Sequence, residues 1–97
     1  MLTLGVLASG RGSNFQSIID NIKSGYLNAK IAVLITDNAE AYAIERARKN
    51  NIEALVLIPK NFSDRDSYYR HIADELNKRG VELVVLAGFM RVVGSPL

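Results

Sequence analysis

The sequence predicts an α/β fold, a Rossmann-like parallel sheet with helices on both faces. Short apolar runs alternate along the chain with segments of helical periodicity, and these runs lack the polar alternation of half-exposed strands. Strands that are apolar on both faces and separated by helices form parallel sheets covered on both sides. Right-handed crossovers favour the strand order 3-2-1-4, with the sheet truncated after strand four.

The first half of the chain supplies two strands and one helix. Residues 2–9 form an apolar run bounded by glycine, which predicts a buried strand. Apolar residues from Phe15 to Ile22 then recur at helical spacing, and Gly25 can end that helix. Residues 30–36, KIAVLIT, predict the second strand.

The second helix is predicted over residues 37–50, because good helix formers end there in cations that suit the helix dipole. Asp37 and Asn38 are the residue types that cap a helix start, so we expect the helix to begin at them. Residues 52–58, IEALVLI, predict the third strand.

The third helix is predicted to start at Ser63, with Asp66 in the position of a weak capping box. It closes at Gly80, and residues 81–90 open with the fourth strand. The apolar face of this helix is expected to contain Tyr69, Ile72, Ala73 and Leu76.

Composition narrows the class of protein. The chain has 97 residues, enough for one small domain, and a formal net charge of only +2 with charges of alternating sign. This pattern predicts no nucleic-acid binding on charge alone. The first apolar run is too short to span a membrane, and the absence of cysteine suits a reducing cytoplasm. We therefore expect a cytoplasmic protein that binds neither nucleic acid nor membrane.

The segment ASGRGSNF, residues 8–15, joins the first strand to the first helix, where this architecture binds anions. Gly10 and Gly12 can take positive φ and allow close approach, while Ser13 and Asn14 offer hydrogen bonds and Arg11 adds positive charge. The functional interpretation is a phosphate site. The structural interpretation is a simple turn in which Ser13 or Asn14 caps the helix.

The same segment discriminates between kinds of phosphate ligand. A P-loop needs a lysine, and none lies near this turn. A dinucleotide loop needs a third glycine, and Phe15 stands there instead. Asp37 could mimic the acid that binds a ribose, but its position suits a helix cap equally well. The pattern thus favours a single phosphate ester over a dinucleotide-dependent oxidoreductase.

The segment LAGFMR, residues 86–91, ends the fourth strand beside the first one in the predicted order. Gly88 allows close backbone approach, Phe89 and Met90 offer an apolar wall, and Arg91 can face a carboxylate or carbonyl group. The alternative is that the two apolar side chains belong to the core and the arginine is solvated.

These residues resemble a known family. GVLASGRGSNFQSIID, AYAIERAR and ELVVLAGFMRVV are similar, in order and spacing, to the N-terminal half of glycinamide ribonucleotide formyltransferases of purine biosynthesis. Formyltetrahydrofolate deformylases share the glycine loop but usually differ at strand four. The resemblance covers nearly the whole chain, so residues 1–97 are expected to be the nucleotide- and phosphate-binding half of a formyltransferase domain.

The resemblance implies that Gly12, Ser13 and Asn14 hold the phosphate of glycinamide ribonucleotide, with Arg11 as a further candidate. The positions that it assigns to the 10-formyltetrahydrofolate site are Arg65, Met90, Arg91, Val92 and Val93. The implied reaction is attack of the glycyl amine on the formyl carbon through a tetrahedral oxyanion, with no metal required.

The resemblance also implies that the catalytic asparagine, histidine and aspartate lie beyond Leu97, so no catalytic residue is expected in this chain. The single histidine, His71, falls within the third helix and does not match the family's catalytic histidine. An uncovered fourth strand would be an apolar edge prone to pairing. We expect the missing half, a partner or a second copy to cover it; a non-catalytic binding or assembly module is the alternative.

Overall fold

The computed structural model describes residues 1–88, in which strands and helices alternate as predicted. The strands are β1 (Leu2–Leu7), β2 (Ala29–Thr36), β3 (Ala54–Val56) and β4 (Leu83–Leu86). The helices are α1 (Ser13–Lys23), α2 (Ala43–Lys49) and α3 (Arg65–Lys78), with a 3₁₀ turn at Pro59–Asn61.

The four strands form one parallel sheet in the order β3-β2-β1-β4, so the predicted topology is confirmed. β1 is central and pairs along its length with β2, with one register irregularity between Leu4 and Gly5. On its other side, Leu4 to Leu7 of β1 pair with all four residues of β4. β3 contacts only the last residues of β2, Leu34 to Thr36.

Two apolar clusters cover the two faces of the sheet, as expected for strands that are buried on both sides. α1 and α2 cover one face, where Phe15, Ile19 and Ala47 pack with Val6 and Leu34 of the strands. α3 covers the other face, with a second cluster around the strands' opposite side chains. That cluster comprises Leu7, Val33, Ile35, Tyr68, Tyr69, Ile72 and Leu76.

The start of α2 differs from the prediction, because the helix begins at Ala43 and neither Asp37 nor Asn38 caps it. Asn38 lies in a turn after β2, where its backbone N–H donates to Thr36 Oγ1 at 3.2 Å. Its side-chain Oδ1 accepts from Glu40 N at 3.0 Å. The Asn38 side chain thus satisfies a local turn, which is the competing use of such residues.

The cap of α3 is one residue later than predicted: Asp64, not Ser63, accepts the hydrogen bond of Ser67 N, at 2.7 Å. The pKa of Asp64 is lowered chiefly by this backbone hydrogen bond.

The buried face of α3 differs from the prediction at two residues. It includes Tyr68, which was not predicted to be buried, whereas Ala73 is only half-buried. The Tyr68 hydroxyl donates to the Leu57 carbonyl at 2.8 Å, which explains how a polar group is accommodated there.

A charged cluster ties the end of α3 to the start of β3. Arg79 donates to both carboxylate oxygens of Glu53, at 2.9 and 2.8 Å, and to Glu75 Oε1 at 2.9 Å. Hydrogen bonding from the Arg79 guanidinium lowers the pKa of Glu53 and of Glu75 below their usual range. Such fork-shaped contacts fix geometry as well as charge.

The cluster predicts a pH dependence of stability. Because both carboxyl pKa values are lower in the folded state, their contribution is present above the unfolded pKa and is lost as pH falls through the folded value. We expect Arg79→Met to reduce the free energy of unfolding at pH 7 by about 1–2 kcal/mol. It should also flatten the decline in stability below about pH 5, since an unfolded glutamate titrates near 4.3.

Urea unfolding at several pH values measures both effects. Lys78→Met is the matched control, since it removes the same charge from a residue 3.6 Å from Glu75 Oε1 and far more exposed than Arg79. An equal loss of stability in both variants would contradict the assignment to the Arg79 fork.

Candidate functional site

The carboxyl ends of β1 and β4 lie side by side, as the predicted strand order requires. Ala87 N donates to the Leu7 carbonyl at 2.8 Å, and Ser9 N donates to the Gly88 carbonyl at 3.3 Å. The loop after β1 and the segment after β4 therefore meet at one edge of the sheet. α1, which follows β1, and α3, which leads into β4, lie on opposite faces of the sheet. In parallel sheets, ligands bind in a crevice at strand ends where the crossovers change face in this way.

The glycine loop, residues 8–15, leads into α1 through Gly12, which is the N-cap residue with φ 76° and ψ 29°. No side chain caps this helix start, so the expectation that Ser13 or Asn14 is an N-cap is wrong. Both are exposed residues of the first turn. Within residues 1–88 no oxygen accepts a hydrogen bond from the N–H groups of Gly12, Ser13, Asn14 or Phe15.

The carbonyls of Ser9, Gly10 and Arg11, in contrast, accept hydrogen bonds. Three consecutive carbonyls accept hydrogen bonds from the segment that ends in α2: Ser9 from Asn38 Nδ2, Gly10 from Ala43 N and Arg11 from Arg46 Nε. The corresponding distances are 3.4, 3.2 and 2.6 Å. The loop thus presents its donors on one side while its acceptors are engaged on the other.

The two glycines of the loop have different roles from those expected. Gly10 does not take a positive φ, and a Cβ there would meet nothing within 4 Å. Gly12 does take one, and a Cβ on it would lie 2.7 Å from Ala43 Cβ and 3.0 Å from Ala43 Cα. The close approach that Gly12 permits in this structure is therefore to α2.

Phe15 is completely buried between α1 and the sheet, in the cluster that includes Val6, Ala8 and Ala43. The position that a dinucleotide loop reserves for a third glycine is filled by a phenyl ring. This packing agrees with the interpretation that the loop is not a pyrophosphate site.

Positive charge gathers at the loop. Arg11 is exposed, and the guanidinium of Arg46 lies over the Tyr42 ring, 5.0 Å from its centroid. Among the described residues no carboxylate forms a salt bridge with either arginine. An anion at the helix start would meet the unpaired amides, the helix dipole and these two cations together.

Arg65, the first residue of α3, is exposed and lines a cleft of about 310 Å³ together with Pro59, Phe62 and Tyr68. This cleft follows β3, and β2 separates that strand from β1 in the sheet. The remaining predicted folate positions, Met90, Arg91, Val92 and Val93, lie outside the described residues, as does Phe89.

His71 lies in α3, where its Nε2 is 3.1 Å from Glu75 Oε2 and its ring centroid is 5.3 Å from that of Phe62. These are contacts within one helix and with the loop before it, consistent with a structural role.

Across residues 1–88 no group of three or more histidine, cysteine, aspartate or glutamate residues could hold a metal ion. In the same part of the chain no helix is long and apolar enough to cross a membrane.

The sequence profile of the formyl transferase family matches residues 3–97. The chain belongs to the formyl transferase family. Its phosphoribosylglycinamide formyltransferase relatives include one from Haemophilus influenzae, 42% identical over 93 residues, and one from Bacillus subtilis, 36% identical over 97 residues. These alignments cover 96% and 100% of the chain but only 44% and 50% of the relatives, so the chain spans about half their length.

Solved structures agree with this membership. Glycinamide ribonucleotide transformylase 1 from Symbiobacterium toebii superposes with a TM-score of 0.96 at 42% identity, covering 99% of this chain and 45% of the other. The enzyme of the same name from Geobacillus kaustophilus gives 0.94 at 41% identity, covering 98% and 50%. The parallel 3-2-1-4 sheet of this formyl transferase chain is thus the Rossmann-like fold of those structures.

Sequence reasoning missed Arg46, which is the one charged side chain that contacts the glycine loop backbone among the described residues. Arg46 lies in the segment AYAIERAR, but its partner Arg11 is 35 positions away in the sequence. No local sequence pattern could therefore predict the contact.

The geometry of Gly12 predicts a stability difference between the two loop glycines. Gly12→Ala should lower the free energy of unfolding by about 1–3 kcal/mol, because the new Cβ meets Ala43 and the residue keeps a positive φ. Gly10→Ala is the matched control and should change it by less than about 0.5 kcal/mol. Urea denaturation of both variants provides the comparison, and equal losses would refute the packing explanation.

Proposed function

We propose that this chain is the part of a phosphoribosylglycinamide formyltransferase that holds the substrate phosphate and part of the folate site. The observation that carries the proposal is the row of N–H groups from Gly12 to Phe15, beside the end of β4, which have no acceptor within residues 1–88. A phosphate ester at this helix start would accept hydrogen bonds from those amides. The proposed substrate, glycinamide ribonucleotide, is taken from the names of the similar proteins, which are phosphoribosylglycinamide formyltransferases.

The exposed side chains of Ser13 and Asn14 extend the donor set at the phosphate, and Arg11 contributes long-range attraction. The proposed site is smaller than a dinucleotide site, because it holds one phosphate group. A single phosphate needs one helix start and a few donors, whereas a pyrophosphate needs the helix to approach the sheet closely. The buried Phe15 ring occupies that space, which supports the smaller ligand.

The proposed second ligand is 10-formyltetrahydrofolate, the formyl donor. Arg65 is proposed to bind part of it, and its exposure in a cleft at the start of α3 is compatible with contact to an anionic group. Its other proposed contacts are Met90, Arg91, Val92 and Val93. The glycyl amine would attack the formyl carbon and form a tetrahedral oxyanion, and residues outside this chain would supply the proton acceptor and the oxyanion donors.

β4 is proposed to be the surface through which the rest of the enzyme, a partner or a second copy is joined. Leu83 and Leu86 are 50% and 52% exposed, although they stand in a strand at the edge of the sheet. Edge strands with apolar side chains are ready templates for a further strand.

The proposed location of the protein is the cytoplasm, where the proposed reaction of purine biosynthesis takes place.

A non-catalytic phosphate-binding or assembly module is the second candidate function, and a fragment of a formyltetrahydrofolate deformylase is a third. The module would need only the amides at the start of α1 and the exposed Leu83 and Leu86 of β4. Restoration of turnover separates the candidates, as described below.

Phosphate binding is tested with calorimetry on the chain. We expect glycinamide ribonucleotide to bind and a nicotinamide dinucleotide not to bind. Asn14→Ala should weaken binding of the ribonucleotide by about tenfold or more, because a hydrogen bond to a charged group contributes about 1.5–3 kcal/mol. Ser17→Ala, one turn further along α1 with its hydroxyl on the Ser13 carbonyl, is the matched control and should have no effect. Equal binding of the dinucleotide would overturn the assignment.

Complementation tests the catalytic part of the proposal. The chain alone should show no transfer of the formyl group, and adding the C-terminal half of the Bacillus subtilis relative should restore it. The same mixture should elute as one complex in size-exclusion chromatography. Formyl transfer by the pure chain would contradict the first expectation. The second would be contradicted if the chain stayed monomeric and did not bind the added half.

A further inference from the structure

We propose that Arg46 is a positioning residue that holds the glycine loop in its anion-binding conformation. The inference rests on the proposed phosphate site and deepens it, since Arg46 acts through the backbone of Arg11 and not on the ligand. The contact that suggests it is the 2.6 Å hydrogen bond from Arg46 Nε to the Arg11 carbonyl.

Peptide geometry links that contact to the amides. A trans peptide places the carbonyl of one residue opposite to the N–H of the next. Because the Arg11 carbonyl points at Arg46, the N–H of Gly12 points away from α2. The bonds from Asn38 and Ala43 to the two preceding carbonyls orient the earlier amides in the same way.

Arg46 is the member of this set that spans the loop and the helix. Its Nη1 donates to Gln16 Oε1 at 3.4 Å, and Gln16 in turn donates through Nε2 to Asp20 Oδ1 at 3.0 Å. One guanidinium therefore contacts residues on both sides of Gly12. A fork of five N–H donors with fixed geometry suits this double contact, and a lysine cannot reproduce it.

The remaining surroundings keep Arg46 available for this role. The guanidinium carbon lies 5.0 Å from the centroid of the Tyr42 ring, which orients it from one side. No carboxylate in the described part of the chain forms a salt bridge with it. The neighbouring Arg48, in contrast, is 70% exposed and pairs with Glu45 Oε1 at 2.7 Å. The two arginines of α2 therefore have different surroundings: Arg46 contacts the glycine loop, and Arg48 lies in solvent.

The loop needs such a brace because glycine flanks Arg11 on both sides. Glycine backbone populates positive and negative φ with similar ease, so the peptide between Arg11 and Gly12 can rotate at little cost. Rotation would turn the Gly12 N–H away from the ligand and release the Arg11 carbonyl. Arg46 opposes this rotation.

The test uses the chain with inorganic phosphate as the probe and ¹H–¹⁵N spectra as the readout. In the wild type, phosphate should shift the amide signals of Gly12, Ser13 and Asn14. Arg46→Ala should raise the Kd for phosphate about tenfold. It should also increase fast backbone motion of Gly10 to Gly12 measured by ¹⁵N relaxation. Arg48→Ala removes the same charge from the same helix and should change Kd less than twofold.

Each outcome decides one point. Arg46→Lys should regain less than half of the phosphate affinity that Arg46→Ala loses, because lysine keeps the charge but not the fork of donors. Wild-type affinity in Arg46→Lys would show that only the charge matters and would overturn the proposal. Unchanged loop dynamics and Kd in Arg46→Ala would also overturn it, as would an equal loss in Arg48→Ala. If Arg46→Ala unfolds, Arg46→Lys decides through the same measurements.

Failure of the proposed function is recognised separately. If wild-type chain shows no amide shifts with phosphate, the phosphate site itself is refuted. The relaxation of Gly10 to Gly12 in the absence of phosphate then still reports whether Arg46 orders the loop.

Discussion

The parallel pairing of β1 with β4 is the constraint on which the candidate site depends. β1 is already paired with β2 on its other side, so the chain must return from β3 across the opposite face of the sheet to reach β4. That crossover places α3 on one face while α1 and α2 stay on the other. Because of this change of face, the carboxyl ends of β1 and β4 meet at the kind of position where α/β sheets bind ligands.

The loop after β1 places its carbonyls and its amides in different surroundings. The carbonyls of residues 9–11 are engaged by the segment from Asn38 to Arg46, whereas the amides at the start of α1 have no acceptor in the described chain. The bond from Arg46 to the Arg11 carbonyl also sets the direction of the Gly12 amide, because a trans peptide places that amide opposite to the carbonyl. The contact with α2 and the direction of this candidate donor are thus set by the same peptide plane.

Sequence patterns predicted the parts of this fold that depend on periodicity. Apolar runs and the spacing from Phe15 to Ile22 sufficed for the strand order and for the buried face of α1, because burial on one or both faces repeats along the chain. The start of α2 was not predictable in this way, since Asn38 can serve a cap or a turn and tertiary contacts decide which.

Two further features depend on contacts between distant segments. Gly5 within β1 leaves room for α3, because a Cβ there would lie 2.5 Å from Leu76 Cδ2. The contact between Arg46 and the glycine loop joins residues 35 apart. Neither follows from local composition, because glycine and arginine are common at positions where nothing depends on them. The loop was found from its place after a strand, but the residue that braces it required the structure.

The edge strand connects assembly to the site. Among the described strands β4 pairs only with β1, and Leu83 and Leu86 are exposed there, so part of its apolar surface is not covered by residues 1–88. The bond from Ser9 N to the Gly88 carbonyl, at 3.3 Å, lies just past the end of that strand and joins it to the glycine loop. Whatever pairs with β4 would restrain the Gly88 side of the crevice through the same backbone. A further strand on β4 would therefore restrain the candidate site as well as cover an apolar edge.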